Sequence, residues 1–237
     1  MEHVLSGIAA SPGLWIGTAH RLADLSGLTR TQGNPDTEAS ALTQAIAAAT
    51  ESLSGIVASL KGDAAEMLGF QIAMLEDPAL AEPAFIAIKA GKPADGAWRD
   101  ALADEISGYE SSDDDYFRAR AADLADIRDR VLALLCGAES ATAAPPGAVF
   151  VADDFKPSEF LALDWSSGGA IALVKGSPSS HVAMLARAKG IPMVAGLGNA
   201  ADSLSGEVIV DGTIGRLTAM PAKETIERAK AQAAQNV

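Results

Sequence analysis

The run Gly176-Ser177-Pro178-Ser179-Ser180-His181-Val182-Ala183-Met184-Leu185-Ala186-Arg187 takes a loop of small residues into a stretch with helical apolar spacing. His181 falls in the first turn of that helix. There the leading backbone N–H groups lack partners and the helix dipole favours negative charge. An imidazole that is largely neutral near pH 7 has one ring nitrogen free to attack phosphorus. A phosphate on the His181 ring would lie near those donors and the hydroxyls of Ser179 and Ser180. Phosphoryl transfer needs positioning and the stabilisation of spread negative charge, and this pattern offers both. Taken alone, it equally suits a histidine that helps to cap a helix. His3 and His20 lie at the edges of a strand-rich start and read as ordinary edge residues. A metal site is not indicated, because His181 has neither a second histidine at helical spacing nor a nearby cysteine. The chain has no G-x-S-x-G elbow, Walker loop or G-x-G-x-x-G fingerprint.

The elements that must hold this loop come in two styles. Residues 4–22 alternate short apolar runs with Gly7, Gly13 and Gly17, which reads as strands and tight turns. Then Leu42, Ile46, Ala49, Leu53, Ile56 and Leu60 recur at steps of four and three on one helix face, with Asp36 as the expected cap and Gly62 as the stop. Further helices are expected over 63–76, 79–90 and 94–109, and from a cap at Ser112 to Gly137. Beyond Pro145-Pro146, apolar runs at 148–152, 170–174, 193–195 and 208–210 read as strands, with helices over 157–163 and 181–189. The economical architecture is one α/β domain in two pieces, residues 1–28 and 141–220, flanking an antiparallel helical bundle at 34–139. Residues 221–237 read as a connecting helix.

The net charge of −13 argues against nucleic acid and anionic membranes as partners. Residues 34–139 hold 20 of the 31 acidic and 8 of the 18 basic residues, so the bundle carries nearly all of the excess. Such a surface is either a plain solvated face or a docking face for a basic partner. No apolar run approaches the ~20 residues of a membrane span. The start Met1-Glu2-His3-Val4 lacks the features of a secretory signal, and the lone Cys136 in its apolar stretch reads as a core residue, so a cytoplasmic location is expected.

The segment Ser179-Ser180-His181 with its apolar helix through Ala186-Arg187, followed by Gly190-Ile191-Pro192-Met193-Val194-Ala195-Gly196, resembles the phosphohistidine signature of phosphoenolpyruvate-utilising enzymes. Gly7-Ile8-Ala9-Ala10-Ser11-Pro12-Gly13 is similar to the N-terminal strand and turn of Enzyme I of the phosphotransferase system. Met74-Leu75-Glu76-Asp77-Pro78-Ala79-Leu80 and the stretch from Asp114 to Ile127 resemble the helical subdomain with which Enzyme I docks HPr, its small phosphocarrier. The resemblance implies an α/β plus α fold, a swivelling phosphohistidine subdomain with an inserted helical bundle. It implies that phosphoenolpyruvate phosphorylates Nε2 of His181, which passes the group to HPr. It also implies HPr contacts at Glu66, Met67, Met74, Asp77, Leu80, Tyr116, Phe117 and Arg120. Alternatives are the swivelling domain of a phosphoenolpyruvate synthase or pyruvate phosphate dikinase, and an inactive HPr-binding regulatory module.

Three departures stand out. Gly176-Ser177-Pro178 lacks the basic residue usual in that loop, and Gln71 stands where some members have histidine. Phe160 replaces a threonine that would hydrogen-bond the active histidine, so another carbonyl or hydroxyl is expected to orient the ring. These changes suggest a nitrogen-type paralogue or a multiphosphoryl-transfer fusion. Arg187 lies six residues past His181, about 240° around the helix, so direct phosphate contact from the same face is not expected and a packing or interdomain salt-bridge role suits it at least as well. On the helix at 63–76, Leu68, Ile72 and Leu75 form one stripe and Met67, Phe70 and Met74 another; one faces the bundle core, and the other is either buried too or given to HPr. The family's phosphoenolpyruvate-binding barrel, which uses magnesium and carries the dimer contact, follows this domain. The chain stops at Val237, so it is expected to be monomeric, to need no cofactor of its own, and to exchange phosphate only with HPr. Incubated alone with labelled phosphoenolpyruvate it should stay unlabelled; rapid labelling would show that it binds this donor unaided.

Overall fold

The computed structural model describes residues 2–22, 29–58, 60–137 and 145–235, with side chains omitted at 63, 115–119 and 234–235. The chain forms two compact units, Met1–Asp24 with Ala141–Val237, and Leu25–Ser140.

The first unit is built on one sheet. Its strands are β1 (His3–Ser6), β2 (Ile8–Ser11), β3 (Leu14–Arg21), β4 (Val149–Ala152), β5 (Ala170–Leu173), β6 (Met193–Ala195), β7 (Glu207–Asp211) and β8 (Arg216–Ala219). The order is β1-β8-β7-β3-β4-β5-β6-β2; β3 through β6 run parallel, and the other pairings are antiparallel. Every residue of β4, β5 and β6 is buried, the signature of parallel strands covered on both faces. This is why they read as unbroken apolar runs rather than as alternating ones. Helices α6 (Pro157–Ala162) and α7 (His181–Lys189) form the crossovers, and a 3-10 turn covers Asn199–Ser203.

β1 and β2 are consecutive, yet they occupy opposite ends of the strand order, separated only by Gly7. One continuous segment therefore pairs with β8 on one side and β6 on the other, joining the two ends of the sheet. Gly7 sits on this seam: its N–H donates to the Gly215 carbonyl at 2.8 Å, and a Cβ there would lie 2.5 Å from the Ala195 carbonyl oxygen. β8 is absent from the sequence expectation, because its four residues alternate polar and apolar over too short a span to register. Helix α8 (Lys223–Gln235), expected as a connector, packs against β3 and buries Ala229. Glu2 fixes its start by accepting hydrogen bonds from the Ala222 N–H at 2.6 Å and the Thr225 hydroxyl at 2.8 Å.

The second unit holds α1 (Pro35–Val57), α2 (Asp63–Glu76), α3 (Pro78–Lys89), α4 (Ala94–Glu110) and α5 (Asp115–Cys136). α5 packs on α4 and α1, α3 on α4, and α2 on α1. Leu42, Leu53, Leu68, Ile88, Trp98, Leu102, Leu124, Ile127 and Leu132 fill the interior. The cap of α1 is Asn34, whose side-chain oxygen accepts from the Thr37 N–H at 2.9 Å; Asp36 lies inside the first turn instead. The helix stops at Val57, and Gly62 opens α2 with φ 65° rather than closing α1. Cys136 is half-buried; burial, then the neighbouring Asp95 charge, push its thiol above the ordinary value, so it stays protonated.

Glu38, on α1, is a buried carboxylate that ties the preceding loop to the starts of α1 and α4. It accepts from the N–H groups of Gly33 and Ala94, each at 2.7 Å, and from Arg30 at 3.2 Å. Burial alone would raise its pKa, but the two backbone donors and Arg30 outweigh it and hold the carboxyl below its ordinary value. Its stabilisation is therefore complete above the unfolded-state pKa and is lost as pH falls through the lower folded-state pKa. E38Q should lower the unfolding free energy at neutral pH by about 1–3 kcal/mol and flatten the acid limb of stability against pH, both measurable by urea unfolding.

Candidate active site

β5 lies in the middle of the parallel strands, and the chain leaves its carboxyl end toward α7. Val174 and Lys175 continue the ladder by donating to the carbonyls of Ala152 and Asp153 at 3.0 Å each. Gly176 then turns the chain with φ 91°, a conformation side chains disfavour. In the loop, Ser177 Oγ accepts from the Ser179 N–H at 3.2 Å and lies 2.8 Å from Ser179 Oγ. Ser180 is the N-cap of α7; its Oγ accepts from the Ala183 N–H at 3.2 Å. Val182, Ala183 and Ala186 are buried and seat the helix, and Gly190 ends it in the left-handed conformation.

His181 is thus the first residue of α7, and it is half-buried. Among the described residues, no hydrogen bond engages either ring nitrogen, and the N–H groups of His181 and Val182 have no acceptor. Ser180 uses an oxygen lone pair for capping, which leaves its hydroxyl proton free to donate. Ser179 shares its hydroxyl with Ser177. The substitute partner expected for the ring is not present among the described residues. Phe160 is fully buried and packs against Trp165 with ring centroids 4.9 Å apart and against Phe155 at 6.5 Å. An aromatic side chain there serves the core under α6, and the ring is left to be oriented by its own backbone position.

Arg187 donates through Nη1 to the carbonyls of Ala10 at 2.5 Å and Pro178 at 2.9 Å. Its side chain folds back toward the helix start, as long helical side chains do, and straps the loop to β2. The sequence could place Arg187 off the His181 face but could not foresee these acceptors, one of which lies 177 positions away. At the carboxyl edge of the same strands, Arg21 pairs with Asp153 at 2.9 Å and Asp202 at 3.0 Å, and Lys175 reaches Asp153 at 3.5 Å. His3 is exposed, and His20 packs edge-on to Phe150 with centroids 6.1 Å apart, away from any such chemistry. Among the described residues, no three His, Cys, Asp or Glu side chains group to hold a metal, and no helix is long and apolar enough to cross a membrane.

The residues proposed for partner docking lie on the helical unit. On α2, Leu68 and Leu75 are buried and Ile72 half-buried, while Phe70 is 38% exposed and Met67 and Met74 are half-buried, so the second stripe is the more exposed of the two. Glu66 is exposed and Leu80 half-buried. Asp77 does a second job as the N-cap of α3, accepting from the Ala79 N–H at 2.9 Å. Arg120 lies 3.8 Å over the Phe70 ring and pairs with Asp123 at 2.9 Å, so it is held against its own bundle. Tyr116 and Phe117 fall in α5, but their side chains lie outside the described residues. Gln71 is buried, and its amide donates to Asp126 at 3.2 Å and Asp123 at 3.4 Å, both carboxylates being buried as well. This polar knot was not anticipated; Asp123 and Asp126 sit three apart on α5, which from sequence reads as a solvated face.

Two models of the phosphoenolpyruvate-utilising enzyme family match the chain, the N-terminal one over residues 6–120 and the mobile-domain one over 144–215. The phosphoenolpyruvate-protein phosphotransferase of Geobacillus stearothermophilus is 33% identical over 95% of the chain, and that of Bacillus subtilis 30% over 94%. The chain spans about two-fifths of those relatives, 41% of each. A solution structure of an Enzyme I protein superposes with a TM-score of 0.78 at 27% identity, covering 98% of this chain and 99% of that one. The N-terminal domain of a nitrogen-type Enzyme I shares the fold, with a TM-score of 0.66 at 22% identity, covering 97% and 99%.

The double role of Asp77 separates it from Glu66. D77A should lower the stability of the chain by about 1 kcal/mol through loss of the cap, while E66K should leave it unchanged within about 0.5 kcal/mol. Chemical unfolding of the two variants measures the difference.

Proposed function

The chain belongs to the family of phosphoenolpyruvate-utilising enzymes, and from that premise we propose that it is the phosphoryl-transfer domain of an Enzyme I. His181 takes up the phosphoryl group and passes it to a histidine of HPr or an HPr-like carrier. The observation that carries this reading is the His181 ring, half-buried at the first position of α7, whose nitrogens are unengaged and which has two spare N–H groups beside it among the described residues.

The residues of this chain do four things in that reaction. The α6–α7 region and the Ser180 cap hold the imidazole at the helix start, so little orientation is lost on reaction. The unprotonated ring nitrogen, Nε2 by the family's chemistry, forms a bond to phosphorus as the bond from phosphorus to the donor breaks. In exchange with the carrier, the proton of the incoming imidazole ends on the outgoing one, so both rings are neutral before and after. The N–H groups of His181 and Val182, the helix dipole and the Ser180 hydroxyl meet the anionic oxygens. The carrier docks on the surface stripe of α2, where Met67, Phe70 and Met74 supply an apolar centre and Glu66 part of an acidic rim. Transfer between two histidines takes no cofactor from this chain, and magnesium is needed only for phosphoenolpyruvate. The swivelling domain of a synthase or dikinase is the weaker reading, because the relatives named above are phosphoenolpyruvate-protein phosphotransferases and match across the helical unit as well.

Mixed with phosphorylated HPr and followed by phosphorus NMR, the wild-type chain should gain a phosphohistidine signal that H181A lacks. E66K should slow the exchange and weaken its salt dependence. A wild-type chain that gains no signal would make it the inactive carrier-binding module instead, and a signal persisting in H181A would move the chemistry elsewhere.

A further inference from the structure

Among the described residues, Arg187 is a charged side chain whose hydrogen bonds both go to backbone carbonyls, of Ala10 in β2 and Pro178 in the loop before His181. Helix packing does not require this, because α7 is already seated by Val182, Ala183 and Ala186 on its buried face. The bonds have two consequences for an anion on the neighbouring ring. First, a peptide unit points its C=O and N–H in opposite directions. With the Pro178 carbonyl turned to Arg187, the Ser179 N–H is aimed to the other side, where Ser177 Oγ receives it at 3.2 Å. The loop then enters α7 in one conformation, with Ser180 placed to cap and the His181 and Val182 N–H groups left open. Second, two carbonyl oxygens close to the loop are tied to a cation, so their negative ends do not oppose a dianionic phosphoryl group.

We propose that Arg187 is a positioning residue for phosphoryl transfer, which holds the 176–180 loop and neutralises the carbonyls of Ala10 and Pro178 beside the phosphorylated ring. This rests on the assignment of His181 above, but its test does not depend on the carrier. Phosphoramidate phosphorylates imidazoles directly: its P–N bond breaks, the ring nitrogen bonds to phosphorus, and ammonia leaves with the imidazole proton as ammonium. The rate of charging and the lifetime of phosphate on His181 are read by phosphorus NMR, with H181A identifying the signal. Both Arg187 bonds come from one nitrogen, so an ammonium group can reproduce them.

R187K should therefore keep both rates within about twofold of wild type, while R187Q loses about tenfold in charging rate, the factor a charged donor commonly contributes. In R187Q the carbonyl carbon resonances of Ala10 and Pro178 should also move upfield, as carbonyls that lose a hydrogen bond do. The proposal is overturned if R187Q charges like wild type, or if R187K falls as far as R187Q, since either outcome leaves Arg187 a packing residue. Should R187Q not fold, the Pro178 carbonyl resonance of the wild-type protein decides: unchanged on phosphorylation supports the clamp, and an upfield move overturns it. Charging by phosphoramidate without charging by phosphorylated HPr would sink the carrier assignment alone and leave the Arg187 result standing.

Discussion

A group that is handed from one histidine to another needs a ring that partners can reach on a backbone that does not yield. The junction of β5 and α7 meets both demands. The strand is buried on both faces in the centre of the parallel strands, and the helix begins with His181, the residue proposed to carry the group. Between them lies the loop 176–180, held by Ser177 bonding Ser179, by Ser180 capping the helix and by Arg187 bonding the Pro178 carbonyl. Among the described residues, the N–H groups of His181 and Val182 are left for the anion that the proposed transfer would bring. The departures at Phe160 and Pro178 fit this arrangement, because a ring oriented by its position on the backbone depends less on a side-chain partner. The rest of the first unit can be understood as support for that junction.

The helical unit solves a different problem. The carrier docking proposed above would need a surface that exposes apolar atoms without letting the helices that carry them slide. Gln71, Asp123, Asp126 and Arg120 tie α2 to α5 beneath the surface stripe, and the Arg120 guanidinium covers the Phe70 ring from one side. Buried polar contacts of this kind add specificity of register more than raw stability. The acidic character of the unit therefore has two sources: solvated carboxylates such as Glu66, and carboxylates such as Glu38, Asp123 and Asp126 that are structural.

Most of the fold was legible because the strands β4 to β6 and the helices α2, α4 and α7 follow one rule each, buried runs or apolar stripes. The bounds of α2 and α7 came out as the periodicity indicates, and the start of α1 did not, because Asn34 and Asp36 are both good caps and only the backbone decides between them. His181 and its cap could be read locally, since everything that defines a helix start lies within a few residues. Arg187 and Gln71 could not, because their partners come from segments far away in sequence, and a long polar side chain carries no mark of which way it folds. β8 was hidden for another reason: its four residues, paired with neighbouring β7 and with distant β1, alternate over too short a span to register.

That pairing has a consequence for how the molecule behaves among other molecules. An open sheet of eight strands would present two rows of unpaired backbone donors and acceptors, each a template for accidental annealing to a neighbour. Here the two marginal strands are four-residue halves of one stretch bent at Gly7, so each margin offers only a short template. A domain with the transfer role proposed above, which would meet partners in turn and let each go, is thereby exposed less to the one kind of backbone encounter that does not readily reverse.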